Sequence, residues 1–161
     1  MRVDFKKYQC LGRDFILVDN CDGRLNALQS SDLARLCERR FGIGASGILR
    51  LDTVSKTLVE VTAYNFNGLL AEFNAVDAAC VAVFLRMSNL PETSGQITIN
   101  GQTVHCKITS NHETMFFVNV RILEPIEIKK IFQQFVMDFG AMFCMIPIDD
   151  VSLVDVKGKG R

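Results

Sequence analysis

The chain has 161 residues, 48% of them hydrophobic, and its 18 basic side chains are balanced by 18 acidic ones. That length is enough for one domain with a full core and part of a second, and a neutral charge balance provides no field to draw the chain to nucleic acid or anionic lipid. No apolar run reaches the roughly 18 residues of a spanning helix and the N-terminal M-R-V-D-F-K-K lacks the apolar centre of a signal peptide, so a cytoplasmic protein is expected.

In chain order, Val3, Phe5 and Lys7 alternate with polar or charged neighbours, and Phe15 to Asp19 form a short apolar run. Both read as strands joined by a turn at Gly12. Ser30 or Ser31 is expected to cap a helix whose apolar stripe is Leu33, Leu36, Cys37 and Phe41, with Arg39 and Arg40 at its negative end and Gly42 just beyond. Gly42, Gly44 and Gly47 follow. A glycine cluster can cradle phosphate, but this one comes after a helix and completes no phosphate-binding motif, so it reads as a tight helix-to-strand turn. Ile48 to Asp52 and Leu58 to Asn65 are the next expected strands, and Asn67-Gly68 a further turn.

The run from Asn74 to Met87 organises the rest. Between Asp77 and Arg86 it has no polar residue, it is alanine-rich, and it is longer than a usual strand. A helix that is apolar all round has to be enclosed on every side, so one buried helix with sheet around it is expected. Asn74 is its expected N-cap. Asp77 lies where a carboxylate can meet the free N–H groups of the first turn.

After a loop at 89–95, Gln96 to Ile99, Asn100-Gly101 and Thr103 to Ile108 make a hairpin with a type I′ signal. Met115 to Val120 read as another strand, His105 falls on a hairpin strand and His112 in a loop. The order describes an α+β domain. Pro125 is expected to mark a boundary between a domain at 1–122 and a segment at 123–161. Within 126–148 the spacing of Ile128, Ile131, Phe132, Phe135 and Val136 fits a helix, while the composition fits strands equally well. The closing K-G-K-G-R is expected to be loose.

The six cysteines, Cys10, Cys21, Cys37, Cys80, Cys106 and Cys144, include no C-x-x-C pair. Zinc spacing is absent, and neither a metal site nor a disulfide framework is expected; most of the thiols read as small buried hydrophobes.

Three stretches carry a resemblance: K-Y-Q-C-L-G-R-D-F-I-L-V-D from Lys7, E-R-R-F-G-I-G from Glu38 and Y-N-F-N-G from Tyr64. In order and spacing they resemble the first half of diaminopimelate epimerase, whose stretches run K-x-x-G-L-G-N-D-F, D-R-x-x-G-I-G-x-D-Q and F-N-x-D-G. A fainter likeness to the start of the second half follows from Asp138 to Arg161, with Met142 and Phe143 in place of a P-H pair. The resemblance implies a half protein: an antiparallel sheet or barrel around the buried helix, followed by a linker and a truncated second half. No cofactor is implied.

The family inverts a Cα centre with two cysteines, one from each half, the first standing at the N-terminus of the buried helix, where the dipole favours a thiolate. Asn74 occupies that position here, and an amide is neither acid nor base at pH 7. Ala75, Val76 and Asp77 replace the G-N-G whose backbone receives substrate; Arg13 replaces an asparagine, and Ser46 and Gly47 replace the D-Q pair. Asn65 remains. The sequence therefore implies no catalytic residue, and Arg13, Asn65, Asn74, Ala75, Val76 and Asp77 as candidate ligand-binding residues for a small amino-acid-like ligand. Arg13 has a plainer alternative, an ion pair with Asp14 or Asp77. The expected function is a catalytically inactive binding or interaction module that self-associates or takes a protein partner. The alternative is an active amino-acid epimerase of lysine biosynthesis, completed by another protomer or chain and using Cys10 or another group as base.

Overall fold

The structure, a computed structural model, describes residues 3–55, 59–88, 95–112, 115–122, 127–131, 134–138 and 142–145. The loop expected at 89–95 (apart from Gly95) and the closing polar tail lie outside them. The chain divides into two compact units, Met1–Glu124 and Pro125–Arg161.

The first unit is one curled mixed sheet with two helices. Its strands are β1 (Phe5–Cys10), β2 (Arg13–Asp19), β3 (Gly47–Val54), β4 (Val59–Asn65), β5 (Gln96–Ile99), β6 (Gln102–His112) and β7 (Met115–Ile122), which lie side by side in chain order. Helix α1 (Ser30–Cys37) connects β2 to β3, and α2 (Ala75–Met87) lies between β4 and β5. Those two pairs, β2/β3 and β4/β5, are parallel, and the other pairings in the sheet are antiparallel. Parallel neighbours need a crossover long enough to carry the chain back, and each helix provides one. The architecture is the expected α+β class, with the refinement that a sheet read as antiparallel is mixed.

Strands β2 and β3 separate two cores by their two-residue period. Phe15, Leu17, Leu49 and Leu51 point to the α2 side, while Ile16, Val18 and Ile48 join Leu25, Leu33 and Cys37 beneath α1. A strand covered on both faces reads as a continuous apolar run, which is why F-I-L-V carries no alternation.

Helix α2 is enclosed as its composition requires. Ala78, Cys80, Val81, Phe84 and Leu85 are buried, and the helix packs on β1, β2, β5, β6 and β7. Its exposed residues are Arg86 and Met87 at the C-terminal end, while Ala75, Val76 and Ala82 are half-buried. The Asn74 side chain caps it, accepting the Val76 N–H at 2.9 Å.

Helix α1 differs from expectation at both ends. Its N-cap is Gln29, not Ser30 or Ser31, and the Asp32 carboxylate accepts the Gln29 N–H at 3.0 Å. It stops at Cys37. Arg39 and Arg40 lie beyond the last turn, and Phe41, read as part of the apolar stripe, is 89% exposed. The physical reason is Glu38, whose carboxylate accepts the N–H groups of Arg40 and Phe41 and turns the chain out of the helix. The glycine-rich stretch is then a helix-to-strand connection, with Gly44 at φ +76°.

The Asn100-Gly101 hairpin turns with positive φ at both residues, as type I′ requires. Asn100 also extends the short β4/β5 pairing by side chain: it accepts the Ala63 N–H at 3.0 Å and donates to the carbonyls of Ala63 at 3.0 Å and Ala71 at 2.8 Å. His112 is the last residue of β6 and not part of a loop, because β6 runs on past Ile108 through a bulge to pair with β7.

In the second unit, β8 (Glu127–Ile131), β9 (Gln134–Asp138) and β10 (Met142–Met145) form an antiparallel sheet in the order β10-β9-β8. The helical alternative for this stretch is thereby set aside.

Candidate functional site

The β1–β2 turn, the chain leaving α1 and the end of β4 converge on a cleft of about 620 Å³ lined by Arg13, Cys37, Glu38, Arg39, Ser46 and Asn65, among others. Its volume suits a small ligand.

One wall is held by Asp14. Arg39 grips this carboxylate with two N–H donors, at 2.8 and 3.2 Å; Ser46 reaches it through its hydroxyl at 2.7 Å and its N–H at 3.0 Å, and Lys7 Nζ lies at 3.1 Å. The Arg39 fork above all, with help from Ser46 and Lys7, holds the Asp14 carboxyl well below the usual carboxylate range. The cluster ties β2 to the connection after α1 and consumes the charge of Arg39. Asp14 and Arg39 were not among the expected site residues.

The other wall is Arg13. Its Nη1 lies 3.6 Å from Asp77 Oδ1 and its guanidinium carbon 5.0 Å from the centre of the Phe15 ring. Arg13 thus spans from the cleft to the first turn of α2. Of the two ion pairs weighed for it, the one to Asp77 is present.

Asp77 itself is 1% exposed, and its Oδ1 has no hydrogen-bond partner. The expectation that this carboxylate satisfies the free N–H groups of the helix start is therefore corrected. Asn74 takes that role by accepting from Val76, while the Asp77 N–H donates to the Asn74 carbonyl at 3.0 Å. Burial pushes the Asp77 carboxyl up to about 6, against the opposing pull of Arg13.

The thiols around this position are not activated. Cys10 on β1 and Cys80 on α2 share a hydrogen bond, and burial raises both, Cys80 to about 12. Burial also raises Cys21 to about 11, Cys106 to about 12, and Cys37. A neutral thiol is a poor base and a poor nucleophile.

Of the expected residues, Arg13 and Asn65 line the same cleft, and Arg13 brings Asp77 to its edge. Asn74, Ala75 and Val76 form the half-buried start of α2 and are not part of the cleft lining. Among the described residues no group of three or more His, Cys, Asp or Glu could hold a metal ion, and no helix is long and apolar enough to cross a membrane.

Known proteins give a consistent placement. No protein-family model matches the chain. Diaminopimelate epimerase of Prochlorococcus marinus (strain NATL1A) is 33% identical over 135 residues, a match covering 80% of this chain and 48% of that protein. The chain is homologous to the diaminopimelate epimerases. That of Synechococcus sp. (strain JA-3-3Ab) is 36% identical over 100 residues, covering 62% of this chain and 35% of its own length. That of Flavobacterium psychrophilum is 28% identical over 158 residues, covering 96% of this chain and 59% of its own. The chain thus spans about half the length of these epimerases. In fold it is similar to a solved phenazine biosynthesis protein of the PhzF family from Bacillus anthracis, with a TM-score of 0.55 at 13% identity over 93% of this chain and 56% of the other. This structural likeness bears on the fold alone.

Proposed function

We propose that this diaminopimelate-epimerase-like chain has given up acid–base chemistry at Cα and serves as a binding or interaction module. The observation that carries the reading is the start of α2. There an amide, Asn74, holds the place that the resemblance gives to a thiolate, and its oxygen is engaged by the Val76 N–H. No described thiol replaces it, since burial keeps Cys10 and Cys80 protonated at neutral pH. In this reading residues 1–122 are the module and 123–161 begin a second half, and the cleft at Arg13 and Asn65 takes a small amino-acid-like ligand.

The reading is tested by the rate at which iodoacetamide alkylates each cysteine near pH 7, followed by peptide mass spectrometry. Slow modification of Cys10, at or below the rate of a free thiol, is expected. A Cys10 that reacts many times faster than the other cysteines would favour an active epimerase completed by another protomer or chain.

Self-association is part of the proposal. Among the described residues β1 pairs only with β2 and β7 only with β6, so the sheet ends in two edges, and Phe5 and Met115 are exposed along them. An unpaired edge is a template for a further strand. Sedimentation velocity is expected to find a dimer or larger species; a monomer across the accessible concentration range would remove this part.

A further inference from the structure

Building on the reading of the cleft as a binding site, we propose that Arg13 and Asp77 form a proton-gated site for a small carboxylate. Arg13 exchanges its buried partner for a ligand in the cleft when Asp77 takes up a proton.

The geometry of the pair carries this. At 3.6 Å the contact between Arg13 and Asp77 is longer than a charge-assisted hydrogen bond, which closes to roughly 2.7–2.9 Å. Asp77 Oδ1 is fully enclosed yet has no hydrogen-bond donor. The Arg13 side chain is 34% exposed and lines the cleft, and among the described residues its N–H groups make no hydrogen bond. Arg39, the other guanidinium of the cleft, is closed on Asp14 from two sides. Arg13 is therefore the cation positioned to receive an anion, and a planar guanidinium suits a carboxylate.

Asp77 is placed to control it. Arg13 from β2 is the charged group acting on Asp77, and Cys10 from β1 and Cys80 on α2 face it as neutral thiols. Of the other titratable groups on strands packed against α2, Lys6 and Tyr8 lie against Phe84, Lys7 pairs with Asp14, which Arg39 also holds, and Asp19 accepts the Cys21 N–H. His105 contacts Gln96, Cys106 packs into the core as a neutral thiol, and Lys107 on β6 and Arg121 on β7 are exposed.

The direction follows from the charges. When ionised, Asp77 holds Arg13 and repels an incoming anion. Its burial-raised carboxyl titrates near 6, so protonation on going from about pH 8 to pH 5 removes the competitor, while a ligand carboxyl titrating near 4 stays ionised. By linkage, ligand binding must draw a proton onto Asp77.

The test is titration of the full chain with lactate, a monocarboxylate ionised at both values, by calorimetry at about pH 5 and pH 8 and constant ionic strength. We expect affinity about fivefold or more higher at the lower pH, with proton uptake on binding near pH 6.5. Asp77→Asn should bind at pH 8 as tightly as the parent does at pH 5 and lose the pH dependence. Arg13→Gln, shown by circular dichroism to be folded, should lose binding at both. Affinity independent of pH, unchanged binding by Arg13→Gln, or no binding of lactate at either pH would overturn the proposal. Such a failure leaves the absence of Cα chemistry untouched; epimerase activity found together with gated binding would remove that reading and keep the gate.

Discussion

Replacing Val81 with aspartate is expected to abolish cooperative folding of the first unit. Val81 is fully enclosed at the centre of α2, in the core formed with Phe15, Leu49, Val61 and Ile97. A carboxylate there finds no partner and no water, and the cost, upwards of about 4 kcal/mol, is a large part of the roughly 5–15 kcal/mol that holds a domain together. Met87→Lys, on the exposed end of the same helix, is the control and should change stability by no more than about 0.5 kcal/mol. Urea denaturation followed by circular dichroism distinguishes the two. If Val81→Asp kept the parent's midpoint and slope, the placement of α2 inside the sheet would be wrong.

The second large effect is a gain. Asp77→Asn is expected to stabilise the protein at pH 7.5 by about 2–3 kcal/mol, because the carboxyl is raised from its usual value near 4 to about 6 even with Arg13 beside it. The raised value means that the folded state binds a proton that the unfolded state has already released. Between about pH 4 and 6 the folded parent holds more protons, so this group makes the parent more stable as pH falls through 6 and less stable as pH rises. The advantage of Asp77→Asn should thus be largest above pH 7 and shrink towards pH 4. Thermal midpoints across that range provide the check, with a rise of about 5 °C or more expected at pH 7.5. A variant less stable than the parent at pH 7.5 would mean that the ion pair with Arg13 outweighs the cost of burying the charge.

The parts of the fold legible in the sequence were those written in local pattern. Helix α2 announced itself because an all-apolar, alanine-rich run with Asn74 ahead of it admits few other structures, and the Asn100-Gly101 hairpin because its turn needs those residue types. The parallel pairings of β2 with β3 and β4 with β5 were not legible, since they depend on where two helices carry the chain. Nor was the end of α1: the Glu38 side chain turns the backbone at a position where helical periodicity would continue to Phe41. Within 126–148 the spacing fitted a helix and the composition fitted strands, and the pairing of 127–131, 134–138 and 142–145 decided between them.

The site was legible in part for the same reason. Arg13 and Asn65 came from the resemblance, and the cleft contains both. Arg39 was read as a cation at a helix end, whereas it reaches back 25 positions to Asp14; no local pattern encodes such a pair. Burial of Asp77 without a hydrogen bond is likewise a property of packing. Its place three residues after Asn74 suggested a cap, and the Asn74 side chain had already taken that role.

The most direct test of the central claim is exchange of the α-proton in heavy water, followed by NMR with purified, folded protein and LL-diaminopimelate alongside a panel of ordinary amino acids. The account predicts no exchange above the rate without protein, because Asn74 offers no base and the described thiols stay protonated. Protein-dependent exchange that disappears in Cys10→Ala would contradict it, and would identify Cys10 as the working base of an isomerase.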